Sequence, residues 1–222
     1  MSSMNLRARY SALALLVFTA LPSYAFADSC ICISCLFNRD LENFIAVGES
    51  MSPTFETGDC ALMRHMKPRE EDIEPGTVIG FEPQIGDPIQ VLRVVGKPGD
   101  RIALRNGQLV LNGQQVLRDY LGKSEIVFPD VAPFPRCESV TEPGEVCARS
   151  WFKETLPNGA SYEVLDIGET RGDFMMEVVV PPRHFFVLGD HRDNANDSRF
   201  PKAKGGQGLV SLQSIVGVFE GL

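Results

Sequence analysis

The sequence has few features that would mark it as helical, repetitive or basic. No long amphipathic stretch with a helical period runs through its 222 residues, which excludes a helical bundle. There is no long-period repeat and no low-complexity tract, which excludes a solenoid or a disordered chain. No block of lysines and arginines offsets the formal net charge of -8. Nucleic acid is therefore not an expected partner, because phosphate binding needs a basic surface. Tryptophan occurs only at Trp151, and histidine only at His65, His184 and His191, so groups that exchange protons near neutral pH are scarce. What is present is the make-up of an ordinary folded chain, 44% hydrophobic and 23% charged. That suffices for one sizeable domain or two small ones sharing a core.

The amino terminus reads as an address. "MSSMNLRAR" carries two arginines and no acid, the apolar run "YSALALLVFTAL" follows, and Ala25 and Ala27 precede Asp28 after Pro22. This is the pattern of a secretory signal with an A-x-A site. An uncleaved anchor is the alternative: Tyr10 to Ala27 is just long enough to span, and "CICISCLF" extends it. Either route puts the chain at the periplasmic face of the inner membrane, or free in the periplasm after cleavage between Ala27 and Asp28. Residues 1–27 are thus a signal peptide or anchor, and 28–43 a Cys-rich, membrane-proximal linker. The six cysteines are Cys30, Cys32, Cys35, Cys60, Cys137 and Cys147, and in an exported chain they can pair. Cys137 and Cys147 flank "ESVTEPGEV" and would close it as a small loop. The C-x-C-x-x-C at 30–35 has no second cluster to complete four metal ligands, which favours thiols or disulfides over metal.

From Phe44 onward the chain reads as β. Turn signals recur ("ETGD", "EPGT", "KPGD", "RNGQ", "LNGQ", "LPNG") with apolar runs between them, among them 78–81, 89–95, 108–111, 162–167, 175–180 and 185–188. The two Asn-Gly pairs of "RNGQLVLNGQQV" suit tight hairpin turns with positive φ at both central residues. Pro98-Gly99 suits a type II turn. One β layer is expected from residues 44–104 and 180–222, and an inserted second layer from 105–179.

Three stretches are dense in chemistry. They are "GESMSPT" around Ser50, "VLRVVGKPGDRI" at 91–102 and "VLGDHRDNANDSRF" at 187–200. The third is an acid- and arginine-rich loop entered from an apolar strand. Arg–carboxylate forks would satisfy it; a calcium loop using Asp190, Asp193 and Asp197 is the rival, which the two arginines oppose.

These stretches, with "PGTVIGF" and "ETLPNGASYEVL", resemble in order the boxes of the bacterial type I signal peptidase family. Those are membrane-bound serine endopeptidases that remove signal peptides from exported proteins. The resemblance covers residue 44 to the carboxyl end. It implies a signal-peptidase-like antiparallel β-sheet fold with an inserted second β domain. It implies exported preproteins or their signal peptides as partners, and a preference for A-x-A sites set by two small-residue pockets. Phe44, Ile45, Val78 and Ile79 would line those pockets or a membrane-facing edge. No metal or organic cofactor is implied.

On this resemblance Ser50 is the nucleophile, in a turn shaped by Met51 and Pro53. A bland reading keeps Ser50 as a small hydroxyl that fits the turn, its N–H still able to cup a carbonyl oxygen. The family's general base is a lysine before the arginine of the second box, and that position is Leu92, which accepts no proton. Its neighbour Arg93 stays charged. The family serine that orients the lysine aligns with Ala195, so base and orienting partner are both replaced by apolar residues. Lys97 lies in the turn beyond, roughly 16 Å along an extended strand. His191, in place of a family asparagine, is a weak alternative base. Asp197 and Arg199 match the acid and arginine that brace the site. Two functions follow: a serine endopeptidase of the signal peptidase I type, or a catalytically silent homologue that binds signal-peptide-like segments by strand addition.

Overall fold

A computed structural model describes residues 38–219 of the chain. The expectations for the leader at 1–27 and for Cys30, Cys32 and Cys35 lie outside the described residues. Among those residues no helix is long and apolar enough to cross a membrane. The strands are β1 (Leu41–Ile45), β2 (Cys60–His65), β3 (Val78–Phe81), β4 (Gln90–Gly96), β5 (Arg101–Arg105), β6 (Gln108–Leu111), β7 (Gln114–Gln115), β8 (Leu117–Val127), β9 (Val146–Thr155), β10 (Ser161–Asp166), β11 (Met175–Val179), β12 (His184–Leu188), β13 (Val210–Ser211) and β14 (Ile215–Phe219). They form a seven-stranded sheet in the order β1-β2-β14-β3-β4-β12-β13, a four-stranded sheet β11-β5-β6-β7 and a three-stranded sheet β10-β9-β8. All of these strand pairs are antiparallel. The described residues are mostly β with only short 3-10 turns, as the apolar runs and turn signals imply.

Two strands carry the architecture. β4 and β12 are hydrogen-bonded neighbours inside the large sheet, and side chains along a strand alternate between faces. Leu92 and Val94 of β4, with Phe185 and Val187 of β12, enter one core with Met51, Phe55, Ile79 and Phe219. Val95 of β4, with Phe186 and Leu188 of β12, enters a second core with Ile102, Leu109 and Val164. Each fully buried Phe or Ile side chain contributes about 1.5–3 kcal/mol of transfer free energy. The alternation that separates the two cores also sends Arg93 away from the first one. A one-residue slip of β4 would exchange its two faces.

The turns follow from residue type. Asn106, Gly107, Asn112 and Gly113 have φ of 50°, 74°, 54° and 82°, the left-handed conformation that tight hairpins demand. The sequence signals do not resolve the long hairpin of β8 and β9. One face of β8 is exposed throughout and the other is at most half-buried, so no core enforces an apolar period of two. Cys137 and Cys147 are joined across its end by a disulfide with S–S 2.01 Å. Cys60 is disulfide-bonded as well.

Candidate functional site

Ser50 sits in the turn between β1 and β2, where Phe55 N–H donates to Met51 O at 3.0 Å and the Ser52-Pro53 bond is cis. Met51 and Phe55 are buried and anchor this turn in the first core. The Ser50 carbonyl accepts from His191 N–H at 3.1 Å, which ties the turn to the loop after β12. Gly189 permits that approach: a Cβ there would lie 2.5 Å from the Ser50 carbonyl oxygen and would fall on Ala195 Cβ.

A cavity of about 240 Å³ opens beside Ser50, with Phe44, Val47, Met51, Gln90, Leu92 and Asn196 among its walls. Among the described residues its lining has no lysine, arginine, histidine or carboxylate. Leu92 and Ala195 are buried members of the same apolar cluster as Met51. The structure thus brings Ser50, Leu92 and Ala195 to one place, and the side chains around the Ser50 cavity are apolar apart from the neutral amides of Gln90 and Asn196. Val78 and Ile79 are buried within that core and are not among the walls of the cavity. Phe44 reaches it.

The other titratable groups are committed elsewhere. Lys97 Nζ pairs with Glu74 at 2.7 Å, His65 meets Glu42, and His184 Nδ1 lies 3.0 Å from Pro182 O. His191 neighbours Ser50 through its backbone alone, and its ring is not part of the cavity wall. That ring is fully buried and neither nitrogen has a hydrogen-bond partner. Burial, and then the nearby Arg149 charge, lower its pKa to about 4.

The loop of residues 189–200 is braced by three guanidinium–carboxylate forks. Arg93 donates to Asp190 at 2.9 and 2.7 Å, and Asp190 also accepts from Thr54 of the Ser50 turn. Arg192 donates to Glu154 of β9 at 2.9 and 2.7 Å. Arg199 donates twice to Asp197 at 2.8 Å. Burial alone would lower the pKa of Arg93, but the charge and hydrogen bonds of Asp190, with Tyr162, together outweigh it and the guanidinium is held more firmly charged. Asp193 accepts from Ile167 N–H at 2.9 Å and Thr170 Oγ1 at 2.6 Å. Every carboxylate of the suggested calcium set is therefore engaged by protein donors. Among the described residues no group of His, Cys, Asp and Glu could hold a metal ion.

A signal peptidase profile, peptidase S26, matches residues 19–221. The chain belongs to the signal peptidase family. It is 31% identical over 180 residues to signal peptidase I of Bacillus caldolyticus, covering 79% of this chain and 75% of that one. Against signal peptidase I of Bacillus amyloliquefaciens the identity is 26% over 176 residues, covering 79% and 70%. A Staphylococcus aureus (strain Mu50) protein named inactive signal peptidase IA is 24% identical over 182 residues, covering 80% and 78%.

This signal peptidase family member also buries groups that sequence reasoning did not single out. Arg149 of β9 is fully buried behind the Ser50 turn, 3.5 Å from Ser52 Oγ and 3.9 Å from Glu49. Burial lowers its pKa, against the opposing pull of Glu56 and Glu49. Ser52 in turn donates to Glu56 at 2.6 Å. The one available signal is charge at strand positions facing inward in "VCARSWFKET": Arg149 and Glu154 are both buried there, while neighbouring Lys153 is exposed. Their partners are distant in sequence, so spacing alone does not reveal them.

Proposed function

We propose that this chain is a catalytically silent signal peptidase homologue that binds signal-peptide-like segments of exported proteins at the periplasmic face of the inner membrane. The observation that carries this reading is the lining of the Ser50 cavity, which has no proton acceptor among the described residues. On the family resemblance, the positions of the general base and its orienting serine are Leu92 and Ala195, which are 3% and 8% exposed. An apolar pair cannot take the serine proton. Loss of the base from such a pair costs on the order of a millionfold in turnover.

Binding needs less. Among the described residues β1 is the end strand of the large sheet, with β2 as its neighbour, and Phe44, Ala46 and Val47 run from it into the cavity wall. An extended segment can add to such an edge while small side chains, as in A-x-A, enter the cavity. The match to a relative named inactive signal peptidase IA agrees with a fold that persists without turnover.

The test is a preprotein with an A-x-A site, assayed in detergent for cleavage and for binding. The wild type is expected to bind and not cleave. Leu92→Lys with Ala195→Ser is expected to restore Ser50-dependent cleavage, because a lysine desolvated at that position is depressed in pKa and can be neutral. Wild-type cleavage that Ser50→Ala abolishes would sink the silent reading and establish the enzyme instead.

A further inference from the structure

A second cavity, of about 420 Å³, has Ala195 and Asn196 among its walls. Asn196 lines both cavities, so the two meet at that residue. Their chemistry is opposite. The Ser50 cavity has no charged side chain in its wall, whereas Arg136, Arg171, Arg192 and Asp193, with Thr170 and Asn194, stand around the second.

The charges at this second cavity do not cancel. Arg192 is spent on Glu154 at 2.7 Å. Asp193 turns its oxygens to Ile167 N–H and Thr170 Oγ1. Arg136 and Arg171 are both exposed, and no carboxylate of the described residues lies within ion-pair distance of either. Beneath them Arg199 is buried, and its Nη1 has no hydrogen-bond partner. That nitrogen lies 2.7 Å from where a Cβ on Gly172 would sit, and Gly172 is part of the cavity wall. Only a missing side chain opens that approach.

We infer that this arginine-lined cavity is a recognition subsite for a carboxylate side chain, Asp or Glu, on the same segment whose small residues occupy the Ser50 cavity. This deepens the binding reading and rests on it. Two guanidinium groups and an amide suit the fork geometry of a carboxylate. Because Asn196 borders both cavities, an extended segment at about 3.3 Å per residue reaches from one to the other within a few residues. Arg136 directly precedes Cys137, and the disulfide to Cys147 holds that loop to β9.

The test uses the full chain in detergent and fluorescent peptides carrying A-x-A. Aspartate or asparagine is placed at each of the three positions before and after the pair, and affinity is read by anisotropy at 150 mM salt. At one or two positions the Asp peptide is expected to bind about five- to tenfold more tightly than its Asn twin. Arg136→Gln with Arg171→Gln is expected to erase that preference while leaving the Asn peptides unchanged. Both residues are exposed, so the variant should fold. Asn and Asp peptides that bind equally everywhere would overturn the subsite and leave the groove reading standing, as would a preference that survives in the double variant. Peptides that do not bind at all would overturn both.

Discussion

Replacing His191 with asparagine isolates the acid response of the loop beside Ser50. The ring is 0% exposed and both nitrogens lack a partner. Burial, followed by the charge of Arg149, holds its pKa at about 4 against an ordinary 6.5. The Arg136 charge pushes the same way, while the dipole of the nearby Arg136 backbone, which makes no close hydrogen bond to the ring, and the Asp166 charge pull up. An unfolded chain takes a proton on this ring as pH falls through 6.5, and the folded chain refuses it until about 4. Between those values the unfolded state binds more protons, so stability falls with pH. The full loss is about 3 kcal/mol, of which about 2 kcal/mol has been lost by pH 5. Asparagine has no such titration. Urea unfolding followed by Trp151 fluorescence at pH 7.5 and pH 5 measures this directly. His191→Asn should gain about 2 kcal/mol on the wild type between the two pH values. A gap that does not change with pH would refute the reasoning and mean that the folded ring accepts its proton at an ordinary value.

Three further outcomes are expected. Asp190→Ala leaves the buried Arg93 guanidinium without its fork partner and should cost about 3–5 kcal/mol in denaturant unfolding, whereas Arg93→Met with Asp190→Leu should cost much less. Gly189→Ala drives a methyl group against the Ser50 carbonyl and Ala195; A-x-A peptide binding should weaken at least tenfold, a loss of at least about 1.4 kcal/mol. Cys137→Ser with Cys147→Ser opens a loop with a sequence separation of 10 and should lower stability by about 2–3 kcal/mol, read as a fall in the melting temperature.

The order of the polar boxes, the β class and the hairpin turns at Asn106-Gly107 and Asn112-Gly113 were legible in the residues. Each is a local property, since turn chemistry and a period of two act over a few neighbours. The reading of Leu92 and Ala195 as the family's lysine and serine positions rests in the same way on position within a motif. Three things required the tertiary structure. The register of β4 against β12 decided which residues of "VLRVVG" face Ser50 and which face the second core. The packing of β9 beneath the Ser50 turn put Arg149 behind it. The meeting of the 136, 171 and 194–196 segments made an arginine-lined cavity from residues that have no common motif. A strand carries its own alternation in sequence, but the surface that each face meets depends on chains brought together from far apart, and that choice is made only when the cores close.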